Sequence, residues 1–181
     1  MVTDPIPDFE TLCQSGCDIS TALRFFDTLP PLSEKEMLGQ WTGGEIKTGH
    51  PMEGFLIESG WVGKEFLDVD TVHPLQFDDG RGGRWNLDPS RAPITARPGA
   101  WLRAMPNAWL LWLARPLIGT NRPAASLVMR DFRGKVSAAM VYDGVPMRDM
   151  FRKVDGETVM GVMEIRGGER EHPFVFWLRR V

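Results

Sequence analysis

The polar residues best placed to do chemistry lie near the end of the chain, on either side of a turn signal at Asp143-Gly144. Tyr142, the sole tyrosine of the sequence, precedes this turn, and Asp149 follows it. If the flanking segments pair as a hairpin, Met140 and Asp149 face the same side and lie near Tyr142. A buried carboxylate beside a phenol can anchor a ligand, or it can act as a general acid or base with a raised pKa.

An ion pair is the alternative role for this carboxylate. Arg130 and Arg152 lie on the neighbouring predicted strands, and a pair between either of them and Asp149 would be structural. The residues that we predict to contact a ligand are Met140, Tyr142, Asp149, Phe151, Arg130 and Arg152.

Motifs that mark common catalytic sites are absent from the sequence. It contains no P-loop, no G-x-G-x-x-G, no G-x-S-x-G and no H-E-x-x-H. The three histidines, His50, His73 and His172, lie far apart, which favours surface or capping roles. Cys13 and Cys17 share one helical face but have no further ligand nearby, which favours reduced thiols over a zinc site. We therefore predict no catalytic residue, no metal site and no cofactor.

Charge argues against nucleic acid as a partner. The 181-residue chain has a net charge of −3, whereas nucleic-acid binding relies on a basic face. Arginines are concentrated between Arg81 and Arg103, which indicates either a solvated loop or a patch for an anionic ligand or membrane surface. No basic, apolar leader begins the chain, and the most apolar run, 109–114, is far shorter than a membrane span. These features predict a cytoplasmic location.

The first part of the chain is predicted to form a helical arm. Apolar residues at roughly helical spacing between residues 8 and 28 indicate two short helices, the second capped by Asp18 or Ser20. Pro30-Pro31 ends the second helix. A first strand at about 38–47 follows.

The middle of the chain is harder to assign. Residues 51–66 mix glycine with large apolar residues and are predicted as a short helix. Residues 72–77 indicate a strand or a sheet edge, because Pro74 cannot donate a ladder hydrogen bond. The turn signal at 78–83 makes residues 84–87 the return strand of a hairpin.

The last third reads as an all-β meander. Turn signals separate five strands at 125–132, 135–142, 147–154, 158–165 and 173–179. Ala138, Met140 and Tyr142 share one strand face, and such small and flexible side chains suit a barrel lining that leaves a cavity. A fully packed core is the alternative.

A tryptophan between two glycines, Gly39-x-Trp41-x-Gly43, marks the first strand. Glycine weakens a strand, so its presence on both sides of a large ring indicates a bend, a bulge or a close backbone contact. We predict that Trp41 closes one end of a small barrel and that Gly39 and Gly43 permit close packing around it. A ligand-facing Trp41 is the alternative.

Four stretches carry a resemblance to a known family: Gly39-Gln-Trp-Thr-Gly43, Thr48-Gly-His-Pro-Met-Glu-Gly54, Gly60-Trp-Val-Gly-Lys-Glu-Phe66 and Ala138-Ala-Met-Val-Tyr-Asp-Gly-Val-Pro-Met-Arg-Asp-Met-Phe-Arg152. The first three resemble the bacterial GXWXG family. The last resembles the domain of unknown function that is usually fused to it. Together the resemblance covers about residues 20–77 and 120–179.

The resemblance implies a mainly β fold, an antiparallel lipocalin-like (calycin) β-barrel, here with an N-terminal helical arm. In lipocalins a basic residue of the last strand packs on the tryptophan of the first strand. Here Arg179 or Arg180 would take that part, by a cation–π contact, and we assign it to Arg179. The nitrobindins, a related barrel family, bind haem through a histidine, and His172 is the candidate by position. Unlike this chain, lipocalins are mostly secreted, often carry a disulfide and lack such an arm.

These features divide the chain into four segments: a helical arm at 1–36, a GXWXG-like segment at 37–88, an irregular Pro- and Trp-rich connection at 89–122, and a β-meander at 123–181 that completes one shared barrel. We predict that the barrel binds a small hydrophobic molecule, such as a fatty acid or lipid, and is not an enzyme. The alternatives are an isomerase or hydrolase that uses the cavity Asp and Tyr, and a haem-binding barrel. A peripheral membrane contact through the connection and a homodimer are further expectations.

Overall fold

Eight antiparallel strands close into a β-barrel, which confirms the expected fold class. The computed structural model describes residues 7–91, 108–166 and 172–181. The part of the predicted connection that lies outside the described residues includes Pro93, Pro98, Trp101 and Pro106.

In chain order the strands are β1 (Gly39–Glu45), β2 (Trp61–Phe66), β3 (Val72–Asp78), β4 (Arg84–Leu87), β5 (Gly119–Thr120), β6 (Ala125–Phe132), β7 (Lys135–Tyr142), β8 (Met147–Lys153), β9 (Thr158–Ile165) and β10 (Phe174–Arg180). Around the barrel the order is β2-β1-β10-β9-β8-β7-β6-β3, and β3 pairs back onto β2. Strands β4 and β5 extend the sheet beyond β3. The barrel therefore takes three strands from the segment at 37–88 and five from the segment at 123–181.

The helices are α1 (Phe9–Ser15), α2 (Ile19–Thr28), α3 (Glu34–Met37), α4 (Phe55–Glu58) and α5 (Ala108–Ile118). Asp18 begins α2 as the sequence indicates, because its carboxylate accepts a hydrogen bond from the Thr21 backbone N–H at 2.9 Å. Asp8 caps α1 in the same way. None of the helices in the described ranges combines the length and the apolar character that a membrane span requires.

Residues 51–66 are predicted to form a short helix, but most of this segment is not helical in the structure. Only Phe55–Glu58 are helical, and the following six residues form β2. Gly63 adopts a φ of +151°, and a Cβ there would lie 1.9 Å from the backbone oxygen of Trp41. The glycine therefore serves a bulged strand that runs close to β1, which helical patterning of the segment does not reveal.

Strand β8 has both of its faces buried. Asp149 and Phe151 point into the barrel, whereas Met150 and Arg152 point outward, and all four are almost inaccessible to solvent. The outward side chains are covered because α1 and α2 pack on the outside of the barrel and form a second core around Phe26. This double burial explains why neither face of β8 is purely apolar in the sequence.

Trp41 lies at one end of the barrel and is 1% exposed. Its indole N–H donates to the backbone oxygen of Met37 at 2.7 Å. The guanidinium of Arg180 lies 4.3 Å from the centre of its ring and also donates to the backbone oxygens of Leu38 and Glu36. These hydrogen bonds from Trp41 and Arg180 thus connect strands β1 and β10 to α3 and the residue after it at this end of the barrel.

The basic residue over Trp41 is Arg180 and not Arg179, to which we assigned this part. Successive side chains of a strand point to opposite faces, so Arg179 lies instead over Trp177, at 5.6 Å, on the outside of β10. Gly39 leaves room for the Arg180 contact, since a Cβ there would lie 2.8 Å from Nη1 of Arg180. At Gly43 the crowding partner is a different ring, because a Cβ would lie 2.3 Å from the Trp61 indole.

Candidate ligand-binding site

An apolar cavity lies inside the barrel, away from the Trp41 end. Strands from both halves of the chain line it, and α4 and α5 contribute Leu56 and Leu111. Apart from Lys64, Tyr142 and Asp149, every side chain of the lining is aliphatic, aromatic or a methionine. The centres of water-sized molecules can occupy about 40 Å³ of the cavity. Since one water needs roughly 10–15 Å³ by this measure, the space suits a small or slender molecule.

Lys64 places a cation in the wall of this cavity. Its Nζ lies 2.9 Å from Oδ2 of Asp149, and the two side chains are 4% and 1% exposed. The same Nζ donates to the hydroxyl of Tyr142 at 3.1 Å and to the backbone oxygen of Pro74 at 3.1 Å. It also lies 5.2 Å from the centre of the Phe176 ring. The ammonium group thus has a partner for each of its three hydrogens.

Bulges in the β2–β3 ladder position this lysine. Gly63 pairs with Gln76 and Glu65 pairs with His73, so Pro74 and Leu75 together oppose Lys64. Proline is found at such interruptions because it has no N–H for a regular ladder. Pro74 therefore marks a bulge inside the closed barrel and not a sheet edge, and its carbonyl is available to Lys64.

Tyr142 and Asp149 meet across the β7–β8 hairpin, as the turn signal predicted. The register pairs Met140 with Asp149, and the Tyr142 hydroxyl donates to Oδ2 of Asp149 at 3.3 Å. Oδ2 therefore accepts from both Lys64 and Tyr142. Oδ1 of the same carboxylate is buried and has no hydrogen-bond partner. A buried acceptor without a partner is costly, so it calls for an explanation at this position.

Burial dominates the electrostatics of the site. It raises the pKa of Asp149 above its ordinary value, and the ammonium of Lys64 opposes this shift. Burial also raises the pKa of Tyr142 well above 10, and the charge of Asp149 adds to the effect. Tyr142 therefore keeps its proton at neutral pH and serves as a donor to Asp149.

Two more of the predicted ligand-binding residues, Met140 and Phe151, point into the barrel but do not line the cavity. Phe151 packs edge-on against Phe66 and Phe176, with ring centres 6.0 and 6.1 Å away. These side chains fill the interior between the cavity and the closed end. Met140 and Phe151 are therefore core residues in this structure, and the cavity is lined by others.

The two predicted arginines lie outside the barrel. Arg130 is exposed and borders a surface depression with Arg148 and Arg166. Arg152 is buried under the helical arm, where its guanidinium lies 5.1 Å from the centre of the Phe26 ring and donates to the backbone oxygen of Phe132. The ion-pair partner of Asp149 is therefore Lys64 and neither arginine.

Among the described residues, the lining of the cavity includes no histidine. His50 packs edge-on against Phe174 at 5.4 Å. His73 lies on β3, and His172 precedes β10. No described histidine therefore lies in the wall of this cavity as a candidate haem ligand.

Sequence reasoning missed Lys64 and the aromatic wall around it. A signal was present, because Lys64 and Phe66 share a face once residues 61–66 are recognised as a strand. The bulge at Val62 and Gly63 then brings Trp61 to the same side, against the simple alternation. Only the pairing with β3 reveals this second step.

The fold and site define a class: a closed antiparallel barrel with an apolar cavity and a buried Lys–Asp–Tyr cluster in its wall. Two family models match the chain, the GXWXG protein model over residues 24–82 and the domain of unknown function DUF4334 over residues 123–180. The chain therefore carries a GXWXG segment followed by a DUF4334 domain, as the fused family does.

A solved structure shares this architecture. It is described as the crystal structure of a protein from Thermomonospora curvata, is 29% identical to this chain, and aligns with a TM-score of 0.68. The alignment covers 92% of this chain and 89% of that one. No curated protein matches the chain.

Proposed function

We propose that the barrel binds a small, mainly hydrophobic molecule in its cavity. The observation that carries this proposal is the free Oδ1 of Asp149, a buried acceptor held at the wall of an otherwise apolar space. Ligand sites of this kind combine an apolar lining with a few polar groups that set orientation. A cavity that served only as core does not require a carboxylate in this position, because apolar residues of similar volume are often at least as stable as a buried ion pair.

The size of the cavity restricts the ligand. The space has room for roughly three or four water molecules, so a molecule of a few non-hydrogen atoms fits with little change, whereas a longer chain or a bulky lipid requires the lining to move. Three methionines, Met52, Met147 and Met163, belong to the lining. Because methionine is flexible and unbranched, these side chains can adapt to ligands of somewhat different shape.

The helices α4 and α5 cover one side of the cavity. Leu56 and Leu111 face it, whereas Ile57, Trp112 and Leu117 are more than half exposed on the outside. These exposed apolar residues support the expected peripheral membrane contact as a route for ligand exchange. The predicted cytoplasmic location and homodimer stay predictions.

An enzymatic role is the second candidate, and one observation favours it. Burial raises the pKa of Asp149, and a carboxylate with a raised pKa beside a cavity can transfer a proton to or from a bound molecule. In that case Asp149 would be the acid or base, and Lys64 and Tyr142 would position it. The Asp149→Ala variant separates the two candidates, because loss of turnover with binding intact indicates catalysis.

Native mass spectrometry of the protein taken directly from cells tests the proposal first. A repeatable extra mass that disappears on denaturation and solvent extraction is the expected result. The extracted compound also identifies the natural ligand.

Methionine methyl NMR then locates the site, with benzene and 1-hexanol as probes. Signals of Met147 and Met163, which line the cavity, should shift on titration. Signals of Met150 and Met160, which lie in the outer core on the same two strands, should not. An empty protein from cells, together with no selective shift by either probe, would overturn the proposal.

A further inference from the structure

The hydrogen bonds inside the site limit what a ligand can offer. Lys64 donates to Asp149, Tyr142 and Pro74, so its ammonium has no hydrogen left for a ligand. The Tyr142 hydroxyl accepts from Lys64 and donates to Asp149. The cation that would attract a fatty-acid carboxylate is therefore already engaged.

Two polar atoms of the cavity lining remain buried without a partner. One is the acceptor Oδ1 of Asp149, and the other is the indole donor Nε1 of Trp61. Both side chains are close to Lys64, whose Nζ lies 2.9 Å from Oδ2 of Asp149 and 5.7 Å from the centre of the Trp61 ring. The site thus offers one acceptor and one donor.

We propose that the ligand is a neutral alcohol whose hydroxyl donates to Oδ1 of Asp149, with the indole N–H of Trp61 as the donor available to its oxygen. This inference rests on the proposed function and adds the chemical class of the ligand. A hydroxyl group is at once a donor and an acceptor, so it can pair with an unpaired atom of either kind. A hydrocarbon satisfies neither of them.

Charge selects the alcohol over the common alternatives. Lys64 and Asp149 together are neutral, and in a low-dielectric cavity any further charge has no counterion. A carboxylate would place a second negative charge against Asp149. An alkylammonium would donate to Asp149, but it would add a second positive charge close to Lys64.

Matched six-carbon probes test this choice on the full-length protein. Isothermal titration and the methionine NMR shifts compare 1-hexanol, hexanoate, hexylamine and 1-fluorohexane at neutral pH. The hydrogen bond to charged Asp149 favours 1-hexanol over 1-fluorohexane, and the cost of burying a further charge disfavours hexanoate and hexylamine. We therefore expect 1-hexanol to bind at least about tenfold more tightly than each of the others. Tenfold corresponds to about 1.4 kcal/mol.

Two variants connect the preference to the named atoms. Trp61→Phe keeps an aromatic ring in the wall and removes the unpaired N–H, although the smaller ring also enlarges the cavity. We therefore compare the two probes within the variant, where 1-hexanol should weaken several-fold relative to benzene. The double variant Lys64→Met/Asp149→Leu makes the wall apolar, and 1-hexanol should lose its advantage over 1-fluorohexane.

Lys153→Met is the matched control, because it breaks the exposed pair with Glu36 and leaves the cavity intact. It should bind all probes as the wild type does. If the double variant does not fold, Trp61→Phe still decides the role of the donor.

The possible failures are distinguishable. If benzene binds in the cavity but hexanoate or hexylamine binds as tightly as 1-hexanol, the assignment of an alcohol is wrong and the binding function stands. If no probe binds and the protein from cells carries no ligand, the proposed function itself fails.

Discussion

The two faces of strand β8 are both buried, yet they serve different purposes. On the outer face Arg152 and Met150 pack beneath the helical arm, and the guanidinium lies on the Phe26 ring. On the inner face Asp149 pairs with Lys64 and keeps one oxygen free beside a cavity. A buried charge is therefore not by itself the sign of a binding site. The difference lies in what surrounds the charge, which is a packed aromatic ring in one case and open apolar space in the other.

The largest effect should come from separating the inner ion pair. Lys64→Met leaves Asp149 buried without its cation, and we expect the free energy of unfolding to fall by about 3–5 kcal/mol at neutral pH. Urea denaturation measures this loss. The double variant Lys64→Met/Asp149→Leu should regain most or all of it, because well-packed apolar residues replace both charges.

Arg152→Met is the counterpart of this change on the outer face. It leaves no carboxylate behind, because the hydrogen bonds of Arg152 go to the backbone oxygens of Phe132 and Lys135. The loss should be smaller than that of Lys64→Met. An equal or larger loss would show that the outer charge carries as much of the stability as the inner pair.

Alanine substitutions of two methionines on β9 compare the packing outside the barrel with the packing inside it. Met160 lies in the outer core and Met163 lines the cavity. Met160→Ala should cost about 2–5 kcal/mol, because it opens a new void in a filled region. Met163→Ala should cost less, since this side chain already borders empty space, and it should admit larger probes than the wild type does. Equal losses in thermal and urea unfolding would argue that the cavity closes in solution.

Gly43→Ala tests the crowded interior beside β2. A Cβ at this position would lie 2.3 Å from the Trp61 ring and 2.9 Å from Leu178, so we expect a loss of about 1–3 kcal/mol from overpacking. Gly156→Ala is the control, because its Cβ would meet nothing within 4 Å. The displaced Trp61 ring should also alter probe binding. Unchanged binding and stability would mean that the Trp61 and Leu178 side chains can move aside at little cost in free energy.

The smallest effects should appear in the pH dependence of stability. The buried Asp149 and the exposed Glu36 should contribute to it in opposite directions. Hydrogen bonds from Lys153 and Ser33 lower the pKa of Glu36 from 4.5 to about 2. Its contribution is therefore complete above pH 4.5 and is lost as the pH falls towards 2. The difference between wild type and Glu36→Gln should shrink over that window.

The contribution of Asp149 to stability should change with pH in the opposite direction. Burial raises its pKa above 3.8 in the folded state, so the folded protein binds this proton more tightly than the unfolded chain does. Stability at this site then falls as the pH rises above 3.8. The stability of the double variant relative to the wild type should increase with pH over the same range. Chemical denaturation at several pH values measures both trends.

Local patterns in the sequence were sufficient for many of the elements. The cap at Asp18, the turn at Asp143-Gly144 and the five-strand meander follow from contacts between residues close in the chain. The meeting of Tyr142 and Asp149 follows in the same way, because a hairpin fixes its own register. These features depend on short-range geometry, which a single sequence records.

The remaining features depend on pairing between distant segments, and only the tertiary structure decided them. Arg180 and not Arg179 covers Trp41, because the register between β1 and β10 determines which side of the last strand faces inward. Lys64 reaches Asp149 because bulges between β2 and β3 turn it into the barrel. Arg152 is buried because the helical arm packs on a face that would otherwise meet solvent. Residue types and local spacing were read from the sequence, whereas the partner of each buried charge follows from how the barrel closes.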